Sequence, residues 1–249
     1  MACIYCGADN ADSEEHVIPY CLGGTQVLED ASCGRCRDLT SLFELHVCRY
    51  TYSWMRKVTG YPSRKPKNMP TTVPVVFVEA SGEERRRDLP IEQVPFPVLV
   101  PQFPLPAEAA EIPGWLSSPG LVVVPSPALE AATSALFRAH GNGAPHLRMM
   151  SQGVKIESFA QLLYKIALGA LFLEGVASRF DLSELRRRIL DRSCVTFETM
   201  EDIRSAPSRA DGPPRAALST HGPSEYVEIR GLLRPRCAWD FWVRLTVAD

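Results

Sequence analysis

Two Cys-x-x-Cys pairs near the start of the chain constrain its fold more than any other feature. They are Cys3-x-x-Cys6 and Cys33-x-x-Cys36, and residues 7–32 separate them. Each short turn presents two thiolates to one ion, and two such turns complete a closed tetrahedral shell of four sulfur ligands. The pairs therefore predict a structural Zn²⁺ site, whose binding free energy would help a small module with few core residues to fold.

The other four of the 8 cysteines have no partner at a similar spacing. Cys21 and Cys48 lie in the same N-terminal stretch, and we expect them to be small buried residues. Cys194 and Cys237 are isolated in the later sequence. The first residues have neither the basic nor the apolar segment of a signal peptide, so we expect a cytoplasmic protein. In a reducing compartment, clustered cysteines are metal ligands more often than disulfides.

Composition excludes some classes of protein without selecting a function. The chain has 249 residues, of which 45% are hydrophobic, and a formal net charge of -2. This apolar content is too high for a wholly disordered chain. The longest apolar run, over 159–175, contains Gln161 and Lys165 and is too short and too polar for a membrane span. We expect it to be a buried helix, and we expect no membrane partner.

Hydrophobic periodicity predicts an α+β fold in two parts. A small zinc module covers residues 1–60, and a larger α+β domain of unrecognised type covers 61–249, with a Pro-rich segment of extended, edge-type strands at about 90–127. The strand-like run over 73–78 contains proline, which favours an edge strand. The predicted later elements are helices over 157–177, with Ser158 as N-cap, and 182–192, a loop over 205–223, and strands over 226–232 and 238–247.

The segment between the two cysteine pairs carries a second motif. It reads Glu15-His16-x-x-Pro19-x-x-Leu22-Gly23-Gly24, and a helical pattern over 37–57 follows the second pair. This combination resembles the HNH endonucleases, the ββα-metal nucleases, in their zinc-knuckle form, over about the first quarter of the chain. The resemblance implies a strand that ends in a carboxylate and a histidine, a tight turn, a second strand, and a helix that supplies a further metal ligand.

The residue types fit phosphodiester hydrolysis. A neutral imidazole accepts a proton from water near neutral pH, so His16 is the expected general base. A carboxylate can hold a divalent cation on the scissile phosphate, so Glu15 is the expected ligand of a catalytic Mg²⁺ or Mn²⁺. Gly23 and Gly24 would permit the hairpin turn.

The sequence departs from the family pattern just after the second cysteine pair. The family places asparagine or histidine there as a metal ligand, whereas this chain has Arg37, which cannot ligate a metal but could contact a phosphate. Asp38 either replaces the missing ligand or is a charge on a solvated helix end. Further along the predicted helix, we expect Glu44 to face the site and His46 to pack elsewhere. Convergence of Glu15 and Asp38 would support a metal site, whereas an exposed Asp38 with Arg37 in its place would favour a weak or inactive one.

The N-terminal module is acidic, so nucleic-acid contacts must come from local basic clusters. Through residue 60 it has 5 Lys and Arg against 8 Asp and Glu. Phosphate contacts dominate nucleic-acid affinity. Besides Arg37, the expected contacts lie in three clusters, for which the alternative is a solvated face: Arg64, Lys65 and Lys67; Arg85, Arg86 and Arg87; and Arg186, Arg187 and Arg188.

Three functions are compatible with these patterns. The first is a metal-dependent HNH endonuclease that hydrolyses DNA phosphodiesters, as in bacterial restriction or phage defence, with residues 61–249 supplying recognition or regulation. The second is a catalytically degenerate zinc module that binds nucleic acid or protein. The third is an assembly protein in which zinc serves only as a staple. Whether the nucleic acid is DNA or RNA, and whether a second copy or a regulatory partner binds, stays open.

Overall fold

The structure is a computed structural model, and it confirms the α+β class. Helices and antiparallel sheets alternate along the chain. The structure describes residues 2–53, 56–57, 60–63, 65–78, 81–94, 98–103, 121–124, 131, 134–136, 138–139, 146–149, 154–196, 198–207, 214–221, 224–232 and 239–248.

The N-terminal elements follow the order ββα. Strand β1 (Ser13–His16) pairs antiparallel with β2 (Val27–Ser32), and helix α1 (Gly34–Leu45) follows directly. The helical backbone continues with π geometry over His46–Thr51. The helix begins three residues before the predicted position because Cys33, in extended conformation, already serves as its N-cap. This is the element order that the resemblance implies.

Both glycines of the motif are required by the backbone between β1 and β2. Gly23 ends a short 3-10 helix (Tyr20–Leu22) with a φ of 83°, a left-handed conformation that favours glycine. A Cβ on Gly24 would lie only 1.9 Å from the carbonyl oxygen of Ile18. The double glycine therefore allows the chain to fold back tightly beneath the end of β1.

Helix α2 (Ile156–Leu173) lies at the centre of the protein. Every residue from Ser158 to Leu171 is buried, so the predicted N-cap Ser158 instead lies inside the helix. The helix has the length and apolar composition of a membrane span, and most of it is buried within the protein. It was predicted as a buried helix, and the structure confirms this.

A four-stranded antiparallel sheet packs against α2. Its strands, in spatial order, are β8 (Ile203–Pro207), β11 (Trp239–Arg244), β10 (Ser224–Leu232) and β9 (Arg215–His221). Helix α3 (Ser183–Leu190) also packs on α2. The predicted loop over 205–223 is wrong in part, because β9 falls within it: its Ala- and Ser-rich composition resembles a loop, yet every residue of β9 pairs with β10.

Two smaller sheets come, in sequence, between the ββα elements and the C-terminal sheet. Strand β3 (Thr72–Val78) is central, between β4 (Glu84–Pro90) and β7 (His146–Met149), so the predicted edge position is wrong. Its proline is tolerated because β7 pairs only with Val75–Val78, beyond Pro74. In the Pro-rich segment, β5 (Val98–Pro101) pairs with β6 (Leu121–Val124), and most of the remaining segment lies outside the described residues.

One hydrophobic core extends from the ββα elements to the C-terminal sheet. It includes Val17 and Phe43 from the N-terminal elements, Phe159 from α2, and Val227 and Phe241 from the sheet. The N-terminal elements therefore bury their apolar face against the later chain. The division at residue 60 stays a prediction.

Replacing Gly24 by Ala should destabilise the protein. The added Cβ must displace the Ile18 carbonyl, and such overpacking lowers the free energy of unfolding by about 1–3 kcal/mol. Urea titration measures the change. Gly34→Ala is the matched control, because its Cβ would meet only the Arg37 side chain at 3.6 Å. Equal midpoints for the two variants would contradict the prediction.

Candidate metal centre and adjoining cleft

The four cysteines of the two pairs converge, as predicted. Their sulfur atoms all lie within 4.8 Å of one another. Cys6 Sγ and Cys33 Sγ are 3.7 Å apart. Zn–S bonds of about 2.3 Å in a tetrahedron require sulfur–sulfur distances of about 3.8 Å, so the cluster fits a structural ion such as zinc. Among the described residues, this is the one group of three or more Cys, His, Asp or Glu side chains whose ligand atoms lie close enough together to hold a metal ion.

The cluster joins the chain start to the hairpin and to α1. Cys3 and Cys6 lie on a turn that is closed by the Gly7 amide, which donates to the Cys3 carbonyl. The Ile4 amide donates to the Ala31 carbonyl and attaches this turn to β2. The Cys33 amide donates to Cys3 Sγ at 3.4 Å. A bound ion would therefore fix α1 to the hairpin at its first turn.

Cys21 and Cys48 form a disulfide, which corrects their assignment as separate buried residues. Cys21 lies in the 3-10 helix after β1 and Cys48 in the π-helical segment after α1, with their Cα atoms 6.3 Å apart. Neither residue has a nearby partner in sequence, and only the return of the chain through the hairpin and α1 brings them together. Cys237 lies outside the described residues.

A cleft of about 690 Å³ opens beside the metal centre. It collects Glu15, His16, Arg37, Asp38 and Lys65, which were predicted separately from the sequence. The predicted basic residues Lys67, Arg85, Arg86 and Arg87 are exposed but do not line this cleft. Arg64 lies outside the described residues.

His16 is the last residue of β1 and lines the cleft. Its backbone pairs with Val27 of β2. Its ring makes an edge contact with the ring of Tyr20, with the centroids 5.7 Å apart. The strand register and the Tyr20 ring thus orient the imidazole toward a space that could hold a ligand.

Glu15 is paired with a lysine from the distant helix α2. The Lys165 ammonium lies 2.6 Å from Glu15 Oε1 and 2.5 Å from Glu44 Oε1. It also donates to the His16 backbone carbonyl at 2.9 Å. The Lys165 and Glu15 side chains are only 1% and 8% exposed. The predicted orientation of Glu44 toward the site is confirmed, and its partner is this lysine.

The same carboxylates affect the ionisation of Lys165 and of the buried Tyr5 phenol. Burial opposes charge on Lys165, but Glu44 and Glu15 outweigh it and raise the pKa of the ammonium group. Burial and the same two carboxylates raise the pKa of the Tyr5 phenol well above its usual value. The phenol therefore stays protonated and adds no third negative charge beside the carboxylates.

Arg37 and Asp38 occupy the position where the resemblance places a metal ligand. Arg37 Nη1 donates to Ser13 Oγ at 2.8 Å and so joins α1 to the start of β1. Asp38 is 79% exposed, and its carboxylate lies 3.7 Å from Arg37 Nε. With Asp38 in solvent and Glu15 already paired to an ammonium, these two carboxylates as placed do not fit a divalent metal site.

Sequence reasoning missed Lys165 as a site residue. The sequence shows it only as an interruption of an apolar run. A charge in the middle of a buried helix requires an opposite charge nearby, so the sequence did indicate that Lys165 has an acidic partner. The sequence does not show which carboxylate that partner is. The two acidic residues that pair with Lys165 lie 150 and 121 residues earlier.

No protein-family model, curated protein or solved structure matches this chain. The resemblance to HNH endonucleases therefore depends on the motif around His16, the cysteine pairs and the ββα order.

Cys33→Ser should abolish zinc binding. The wild-type chain is expected to hold one zinc ion, because four thiolates complete the shell and three do not. Elemental analysis of the purified protein measures the content, and circular dichroism should show partial unfolding when the ion is chelated. Cys194→Ser is the control, since Cys194 is a free cysteine outside the cluster. Retention of stoichiometric zinc by Cys33→Ser would refute the four-cysteine site.

Proposed function

We propose that the chain is a nucleic-acid phosphodiesterase of the HNH type, with His16 as its general base. The observation that carries this proposal is the position of His16, which ends β1 of a ββα unit and faces a cleft that Arg37 and Lys65 also line. The four-cysteine cluster beside the hairpin supports the same assignment. DNA in a bacterial cytoplasm is the proposed substrate, with restriction or phage defence as the setting.

The proposed chemistry uses His16 as a proton acceptor beside a bound phosphodiester. The His16 imidazole takes a proton from a water molecule as the water oxygen attacks phosphorus. The bond between phosphorus and the leaving oxygen breaks, and that oxygen takes a proton from solvent. Arg37, which is always cationic and lines the cleft, is the residue that we propose to hold a phosphate oxygen.

The cleft walls suit a nucleic acid with unpaired bases. Tyr20 and Tyr50 line it and are 41% and 42% exposed, so their ring faces are accessible from solvent. Arg49 also lines it and is exposed. Aromatic faces between basic side chains bind single strands by base stacking and phosphate contacts. Single-stranded or locally opened DNA is therefore the substrate form that we propose.

The resemblance also implies a catalytic Mg²⁺ or Mn²⁺ at Glu15 and Asp38. Glu15 is already paired with Lys165, and Asp38 is exposed to solvent. These positions do not favour a divalent ion at the two carboxylates, so no step of the chemistry proposed above involves one. When bound in enzymes of this class, the ion polarises the phosphate and stabilises the leaving oxygen.

A second candidate is a zinc module that binds nucleic acid without cleaving it. The Glu15–Lys165 ion pair favours this function, because a neutralised carboxylate is a poor metal ligand. Arg37 at the usual position of a metal ligand favours it as well. The two functions share the cleft and differ only in whether His16 acts on the bound phosphodiester.

His16→Ala should abolish cleavage of single-stranded and plasmid DNA. Loss of a general base typically lowers the rate by a factor of about 10²–10⁴. Gel assays with Mg²⁺, with Mn²⁺ and with a chelator that spares the zinc centre measure it. His221→Ala is the matched control, because His221 ends β9 in the C-terminal sheet, whereas His46 contacts the ring of Tyr50 in the cleft. If the wild-type protein and His16→Ala leave DNA equally intact in every condition, the binding module is the better assignment.

Substitution of the cleft cations should weaken DNA binding more than substitution of the β4 arginines. Arg37→Gln with Lys65→Gln is expected to reduce the salt dependence of single-strand binding by about 0.7 for each lost phosphate contact. Fluorescence anisotropy at several salt concentrations measures this slope. The matched comparison is the triple variant Arg85→Gln, Arg86→Gln, Arg87→Gln, which should bind like the wild-type protein. The reverse ranking would move the interface to β4.

A further inference from the structure

The Lys165 ammonium is surrounded by oxygen atoms in the manner of a bound cation. Its three contacts are Glu15 Oε1, Glu44 Oε1 and the His16 carbonyl oxygen, at 2.6, 2.5 and 2.9 Å. An ammonium group has three donors, so all of them are used. Two carboxylates and a carbonyl are also the oxygen ligands that a hard divalent cation prefers. The lysine and a metal ion would therefore compete for the same atoms.

Lys165 cannot readily leave this position. Its neighbours in α2 are buried, and its side chain is 1% exposed. One helical turn later, Gly169 lies against Val17, where a Cβ would be 3.3 Å from Val17 Cγ1. The helix thus contacts the end of β1 through two successive turns. A metal ion that displaced the ammonium would leave an unpaired charge in the apolar core, which is strongly unfavourable.

We propose that Lys165 is the built-in cation of the cleft, which takes the place beside Glu15 that the resemblance assigns to a divalent metal ion. It acts as a positioning residue, because it fixes Glu15 and the His16 backbone at the end of β1. The positioning role depends on the proposed function, whereas the exclusion of divalent ions from Glu15 does not. Residues 61–249 thereby complete a site whose other parts lie in the first 60 residues.

Mn²⁺ binding tests the exclusion directly. Zinc-loaded wild-type protein, Glu15→Gln and Lys165→Gln are titrated with Mn²⁺, and free Mn²⁺ is measured by electron paramagnetic resonance. Wild type and Glu15→Gln should bind Mn²⁺ equally weakly. Lys165→Gln, whose amide can still donate to the His16 carbonyl, should bind one Mn²⁺ at least about tenfold more tightly, which corresponds to about 1.4 kcal/mol.

Two further variants complete the test. Lys155→Met removes a lysine from the start of the same helix, away from Glu15, and should bind Mn²⁺ as the wild-type protein does. The double variant Lys165→Gln, Glu15→Gln should lose the gained affinity. A folded Lys165→Gln that gains no Mn²⁺ affinity overturns the proposal.

The wild-type comparison remains decisive if Lys165→Gln does not fold. Wild-type Mn²⁺ binding that weakens in Glu15→Gln shows that the ion reaches Glu15, and this overturns the proposal while it supports a metal-dependent nuclease. Equal binding by these two proteins supports it. Because Mn²⁺ binding is measured without cleavage, an inactive wild-type protein would count against the proposed function and leave this inference standing.

Discussion

The buried ammonium of Lys165 determines how the central helix meets the N-terminal hairpin. A charge placed in the middle of an apolar helix must be compensated at the surface that the helix packs against. Glu15, Glu44 and the His16 carbonyl provide that compensation. Removing one partner of such a buried pair typically costs about 3–5 kcal/mol, because the other charge is left uncompensated. The pairing therefore specifies which face of the helix contacts the hairpin.

The metal centre and this ion pair fix opposite ends of the same small unit. The four cysteines hold the chain start, the end of β2 and the first turn of α1 together. The ion pair holds the end of β1 and the last turn of α1 against α2. The cleft is lined by the ion pair itself and by Arg37 and Asp38, which follow Cys36 directly, so both attachments support its walls. Such rigid support is what a histidine needs if it is to act on a bound phosphodiester.

Local patterns in the sequence were sufficient for much of this architecture. The cysteine pairs, the double glycine and the apolar periodicity of α2 each specify structure through neighbours in the chain, and the structure bears them out. Contacts between distant residues were not predictable in this way. The Lys165 contacts, the Cys21–Cys48 disulfide and the pairing of β9 with β10 each depend on how the chain returns on itself. The predicted metal role of Asp38 required a side-chain direction that helix periodicity alone does not supply.

The six cysteines of the N-terminal unit are of two kinds, free thiols and a disulfide, and a disulfide needs oxidising conditions to form. Four converge as free thiols suited to a metal, whereas Cys21 and Cys48 are joined as a disulfide. Thiolates held by zinc are withdrawn from exchange, whereas thiols without metal are open to oxidation and mispairing. Metal loading before oxidation would leave only one correct pair to form in this unit. The order of metal loading and oxidation thus determines how many wrong pairings the six cysteines could form.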